Sequence, residues 1–113
     1  MGYPYGQVHI NADEPMETVA AVLSSELFGG LPFEEALPGT FDEVPALRLS
    51  SVPLGLFVAI HGYPGGYTLL IEPHPKSLRG ANMEVVDIAD YVSELVQKIG
   101  RWRVERVGDG TFL

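Results

Sequence analysis

Apolar side chains alternate with polar ones, or run together in short stretches, at five places along the chain. Both patterns are typical of β-strands. Residues 54–61 are apolar at most successive positions, as expected for a central strand that is covered on both faces. The predicted strands cover residues 7–12, 46–52, 54–61, 67–72 and 101–107.

Two further segments repeat apolar residues at helical spacing. Residues 14–28 predict a first helix, with Asp13 as its N-cap and a glycine pair after its end. The second helix should follow the N-cap Asp87 and end at Gly100. We expect its apolar stripe to pack on the central strand at residues 56–60.

The order of these elements is β-α-β-β-β-α-β, with consecutive strands rather than a strict alternation of strands and helices. That order predicts an α+β fold, in which two helices pack on one face of a single, mostly antiparallel sheet of about five strands. The length of 113 residues suits one domain spanning residues 1–113.

Residues 31–45 match neither the strand nor the helix period, and we expect an ordered loop with a short helical turn at residues 34–37. The loop interleaves aromatic and aliphatic side chains with carboxylates, a pattern that suits contact with a basic, partly apolar protein surface. The same apolar side chains could instead cover the open face of the sheet, with the acids keeping the loop soluble. The candidate partner-binding residues are Phe33, Glu34, Glu35, Leu37, Phe41, Asp42 and Glu43.

The charge of the chain is unevenly distributed. Residues 1–75 carry nine acidic side chains against one basic one, a net charge of −8, whereas residues 76–113 carry six of each. A negative field repels nucleic-acid phosphates and attracts basic surfaces. We therefore expect no direct binding to nucleic acid, and the charge allows a basic protein partner. The same charge could instead serve only to keep the protein soluble.

Candidate chemistry is sparse. The chain has no cysteine, no phosphate-binding glycine loop and no nucleophile elbow, so we expect no metal, no cofactor and no catalytic residue. Trp102, between two arginines, suits a core position better than stacking on a base.

The histidines are the remaining candidates for acid-base or metal chemistry. A five-residue loop at residues 62–66 would pair His61 with Tyr67 and place Glu72 at the far end of that hairpin. His74 would lie beyond Glu72, so the three side chains should not share a metal ion.

The sequence favours a small, acidic, non-catalytic binding protein of the inhibitor, toxin-neutralising or chaperone type. A small enzyme or ligand-binding domain with a pocket near Glu72 and His74, or near His61, is one alternative. A structural subunit joined through an edge strand, at residues 46–52 or 101–107, is another. We expect a bacterial cytoplasmic protein without a membrane span, from the composition and the lack of a long apolar run.

Overall fold

The computed structural model describes residues 2–35, 44–50, 56–73 and 84–106. These residues form an α+β fold of seven strands and two helices, two strands more than expected. The elements are β1 (Gly2–Asn11), α1 (Met16–Leu27), β2 (Phe33–Glu35), β3 (Ala46–Leu49), β4 (Leu56–Tyr63), β5 (Gly66–Pro73), β6 (Glu84–Asp87), α2 (Ala89–Ile99) and β7 (Arg103–Arg106).

The sheet runs in the order β2-β3-β4-β5-β1-β6, and β7 pairs with β1 beside β6. All pairs are antiparallel except β1 with β6, where Gly2–Tyr5 runs parallel to Glu84–Asp87. The sheet is therefore mostly antiparallel, as expected. The sequence did not reveal β6, because residues 84–87 show no alternation long enough to mark a strand.

The helices cover one face of the sheet. Apolar residues that the strand register places on that face form one buried cluster with the apolar residues of both helices. Ala59 and Leu70 are also buried but point to the opposite face and lie outside this cluster. Successive buried residues in β4 thus confirm that it is a central strand.

The helices divide the covered face between them. α1 packs against β4 and β2, whereas α2 packs mainly on β1 and β7. The expectation that α2 would lie on the central strand was therefore wrong. The reason is in β1, where Gly6 leaves room for the start of α2: a Cβ there would come within 3.1 Å of Ile88 Cγ1.

The caps of the helices match the sequence only in part. Ile88 rather than Asp87 occupies the N-cap position of α2, so the predicted N-cap is wrong by one residue, although Asp87 does accept a hydrogen bond from the backbone N–H of Ala89 at 2.9 Å. Asp13 does not cap α1, because Pro15 occupies the N-cap position and makes no side-chain cap bond. The proline fits this position since its missing N–H is one that a first turn leaves unpaired.

The β4–β5 hairpin has a tighter turn than predicted. Pro64 and Gly65 alone form it, and Tyr63 pairs with Gly66. The sequence-based register is therefore wrong by one residue, because Gly62 and Gly66 belong to the strands.

Candidate functional site

The first three predicted partner-binding residues form the edge strand β2. Glu34 and Glu35 are extended and pair with β3, so the helical turn expected at residues 34–37 does not begin there. Leu37, Phe41, Asp42 and Glu43 lie outside the described residues.

Phe33 belongs to the margin of the hydrophobic core. It is half-buried, packs against the core cluster and meets Phe28 edge to face, with ring centroids 6.2 Å apart. This arrangement lets Phe33 form the apolar floor of a surface rather than project as a free anchor.

The two acidic residues of β2 have different surroundings. Glu34 Oε1 lies 2.7 Å from Arg48 Nη2 on the neighbouring strand, so its charge is compensated. Such exposed pairs contribute at most about 1 kcal/mol to stability. Glu35 is exposed and has no counter-ion among the described residues.

A groove of about 340 Å³ lies between α1 and the β2–β3 pair. Apolar side chains make most of its surface, and Glu17 adds a carboxylate. Its lining residues are Glu17, Ala20, Ala21, Ser24, Pro32, Phe33 and Leu47. The small side chains of α1 leave this space open because they reach less far toward the sheet than a larger residue would.

Hydrogen bonds hold the corner between α1 and β2. Ser24 Oγ donates to the carbonyl of Leu31 at 2.5 Å, and the carbonyl of Ser24 accepts from Gly30 N–H at 2.8 Å. The carbonyl of Pro32 then accepts from both the backbone N–H and the hydroxyl of Ser50, at 2.9 and 3.0 Å. The groove is thus bordered by backbone that local bonds hold in place.

The strand order turns the charge asymmetry of the sequence into a spatial one. The described part of α1 and β2 carries four acidic residues and no basic one, and Arg48 on β3 is already paired with Glu34. The basic residues of α2 and β7 lie at the other side of the sheet, next to β1. The edge that contains the groove is therefore the negative edge of the described structure.

The β4–β5 pairing separates His61 from Glu72, as the sequence predicted. His61 pairs with Thr68, and Glu72 lies opposite Phe57, four residues further along β4 or about 13 Å. Burial lowers the pKa of His61. Glu72 is buried, and His74 lies outside the described residues.

The described residues contain no group of three or more His, Asp or Glu side chains that could hold a metal ion. Neither described helix is long and apolar enough to cross a membrane.

Trp102 is half-buried against the core, as expected. Its Nε1 donates to Glu14 Oε1 at 2.6 Å, which occupies the only polar atom of the ring. The indole therefore has a structural role in this fold.

One of the proposed assembly edges is closed. β3 lies between β2 and β4, so residues 46–49 present no free edge, whereas β7 pairs on one side with β1.

Comparison of the chain with models of protein families, with characterised proteins and with solved structures gives no match.

Sequence reasoning singled out the acidic residues Glu34 and Glu35, in an expected loop, but missed the edge strand and the groove beside it. Glu17, Ala21, Pro32 and Leu47 were assigned only to a helix, a loop or a strand. The sequence signal that could have pointed to this site was in α1, whose acidic residues have no basic residue on the same helix to compensate their charge.

Proposed function

We propose that this protein is a non-catalytic binding module that docks on a basic protein through its negative edge, formed by α1, β2 and β3. The observation that carries the proposal is an apolar groove beside two carboxylates that have no ion-pair partner among the described residues. Glu17 lines the groove, and Glu35 lies on the strand that borders it.

Apolar surface and charge have separate tasks in such an interface. Groove-lining side chains such as Phe33 and Ala21 can bury an apolar anchor of the partner, and buried anchors supply most of the binding energy. Carboxylates at the margin accelerate the encounter and select for positive charge. The same carboxylates repel a phosphate backbone, which supports a protein rather than a nucleic acid as the partner.

The proposal is tested by filling the groove. Ala21→Trp places a large side chain at an exposed helical position that lines the groove, and Ser25→Trp makes the same addition on α1 at an exposed position outside the lining. Both variants and the parent would be used to capture proteins from a lysate of the source organism, with mass spectrometry of the bound fraction.

We expect the parent and Ser25→Trp to retain the same basic protein and Ala21→Trp to lose it. Titration of the purified partner should then give weaker binding as salt rises, because exposed charges are screened over about 8 Å at physiological ionic strength. Equal retention by all three proteins would refute docking at the groove.

A further inference from the structure

The backbone of β2 has a defined orientation toward the side of the strand on which no other described strand pairs. Pro32 accepts a hydrogen bond from Ser50, and Phe33 pairs with Leu49 in the next position. Hydrogen-bonded and non-hydrogen-bonded pairs alternate in an antiparallel ladder. The peptide groups of Glu34 therefore point to β3, whereas the N–H and C=O groups of Phe33 and Glu35 point away from it.

The pairing of β3 with β4 leads to the same assignment of inward and outward peptide groups. Gly62 N–H donates to the carbonyl of Pro45 at 3.1 Å, so Pro45, Leu47 and Leu49 turn their peptide groups to β4. Alternate residues of β3 must then face β2, which agrees with the bond from Ser50. Two independent hydrogen bonds thus assign the outward peptide groups of β2.

A strand added at this edge would present its side chains in a fixed alternation. Residues opposite Phe33 and Glu35 would point to the helix side of the sheet, where the groove lies. The residue opposite Phe33 would meet apolar surface, and the residue opposite Glu35 would meet a carboxylate. The intervening residue would lie opposite Glu34, whose charge Arg48 already compensates.

We propose that the partner docks as an extended segment that adds antiparallel to β2, with the local pattern basic–any–apolar from its amino end. This inference rests on the proposed function and specifies the conformation, the register and the chemistry of the partner's docking segment. Outward peptide groups of Phe33 and Glu35 supply main-chain hydrogen bonds, as in other cases of strand addition. Charge complementarity with Glu17 and Glu35 supports a basic segment.

The probe is a short synthetic peptide, called the alternating peptide, in which every second residue is serine and the residues between are lysine and leucine in turn, so that each Lys-Ser-Leu stretch supplies the basic–any–apolar pattern. A peptide of the same composition with lysines and leucines at helical spacing is the control for the occupant's conformation. Strand addition requires the alternating peptide to bind at least about tenfold more tightly. Equal or better binding of the helical-spacing peptide would overturn the proposal and identify a helix as the occupant.

N-methylation tests the backbone bonds without any change to the protein. Two further peptides carry N-methyl groups on alternate residues, one on the even set and one on the odd set. In an added strand, one set of amides faces β2 and the other faces away. One methylated peptide should bind like the parent peptide and the other should lose at least about tenfold; equal affinities would overturn the proposal.

A pair of substitutions makes the same test on the protein. Glu35→Pro removes an outward N–H, a change that an edge strand tolerates, and Glu35→Gln removes the charge alone. Glu35→Gln should weaken binding by at most about fivefold and Glu35→Pro by about tenfold more. Equal weakening by both contradicts strand addition.

The failure of this proposal differs from failure of the proposed function. If Glu35→Pro and Glu35→Gln bind alike while Ala21→Trp blocks the probe, the groove binds a partner in another conformation. If Ala21→Trp captures and binds as the parent does, the groove is not the docking site and both proposals fail.

Discussion

Glu14 connects three parts of the chain that are distant in sequence. Its Oε1 accepts from Trp102 Nε1 and its Oε2 from Arg101 Nη2, both at 2.6 Å, and its carbonyl accepts from the hydroxyl of Tyr67 at 2.6 Å. Arg101 also lies 5.9 Å from the ring centroid of Trp102. Glu14, in the segment that precedes α1, thus joins β5 to the connection between α2 and β7.

We predict that Glu14→Gln lowers the melting temperature at neutral pH. The hydrogen bond from Arg101, and then that from Trp102, hold the pKa of Glu14 below 4.5. A carboxylate whose pKa is lower in the folded state stabilises the fold above the unfolded pKa and stops doing so as pH falls through the folded value. The difference in melting temperature between parent and variant should therefore shrink below about pH 4.5.

The matched control for this prediction is Asp13→Asn, which removes a neighbouring exposed carboxylate outside the described hydrogen bonds. Thermal melts across the pH range check both variants. A pH-independent gap between parent and Glu14→Gln would show that the charge of Glu14 does not stabilise the fold.

At the scale of an element, the β4–β5 hairpin depends on two glycines for different reasons. Gly65 occupies the turn at φ 99° with open space around its Cα, whereas Gly62 has φ 126° and a Cβ there would lie 2.5 Å from the carbonyl oxygen of Gly66. A side chain at Gly65 costs only local strain. At Gly62 it also collides with backbone that cannot yield without loss of strand pairing.

We predict that Gly65→Ala destabilises the fold by about 1–2 kcal/mol, the cost of a left-handed alanine. Gly62→Ala should cost about 3 kcal/mol or more, because the strain and the backbone collision add. Chemical denaturation of both variants measures the difference. Equal destabilisation would place Gly62 in a more tolerant conformation than the structure shows.

β4 gives a second prediction at this scale. Val58 is 2% exposed and lies on the helix-covered face, so Val58→Asp would bury an unpaired charge. We predict that it unfolds the domain, whereas Val58→Ala loses only about 1–3 kcal/mol. Circular dichroism and thermal melts distinguish the two; a folded Val58→Asp protein would contradict the central position of β4.

At the scale of the whole molecule, the negative edge should steer association. We predict that Glu17→Gln with Glu35→Gln lowers the association rate of the alternating peptide by up to about tenfold and flattens its salt dependence. Glu34 is left unchanged because its loss would expose the charge of Arg48.

Glu94→Gln with Glu105→Gln is the control for that prediction. It removes the same charge from exposed positions on α2 and β7, at the other side of the sheet. Stopped-flow kinetics at several salt concentrations measure both pairs. Equal effects of the two pairs would show that only net charge matters and not its position.

Much of the fold was predictable because its signals are local. α2 has a strong apolar stripe and an N-terminal acid, and β4 is a continuous apolar run, so both were placed to within a few residues. Phe33, Glu34 and Glu35 were proposed as partner contacts from the mixture of aromatic and acidic side chains, which stays a prediction, whereas the strand that they form was not expected. The signals of α2 and β4 depend on neighbours in sequence and on the period of each element.

Other features depend on residues that meet only in the folded chain. β2 is three residues long, too short for a period, and it becomes a strand because β3 lies beside it. In the hairpin, Gly62 pairs with Tyr67 and Gly66 with Tyr63, so both glycines lie in the strands and not in the turn where their residue type had placed them. The local sequence does not specify which strands pair or in which register, because packing across the whole sheet decides both.

The sequence by itself determined the α+β class, the main elements and the excess of negative charge in the first two thirds of the chain. Only the tertiary structure decided that α1 and β2 share one side of the sheet, that Arg48 neutralises Glu34, and that a groove opens beside Glu35. The physical reason is that a groove is the space left between surfaces. Its shape depends on where α1 rests against β2 and β3, which no local pattern of residues specifies.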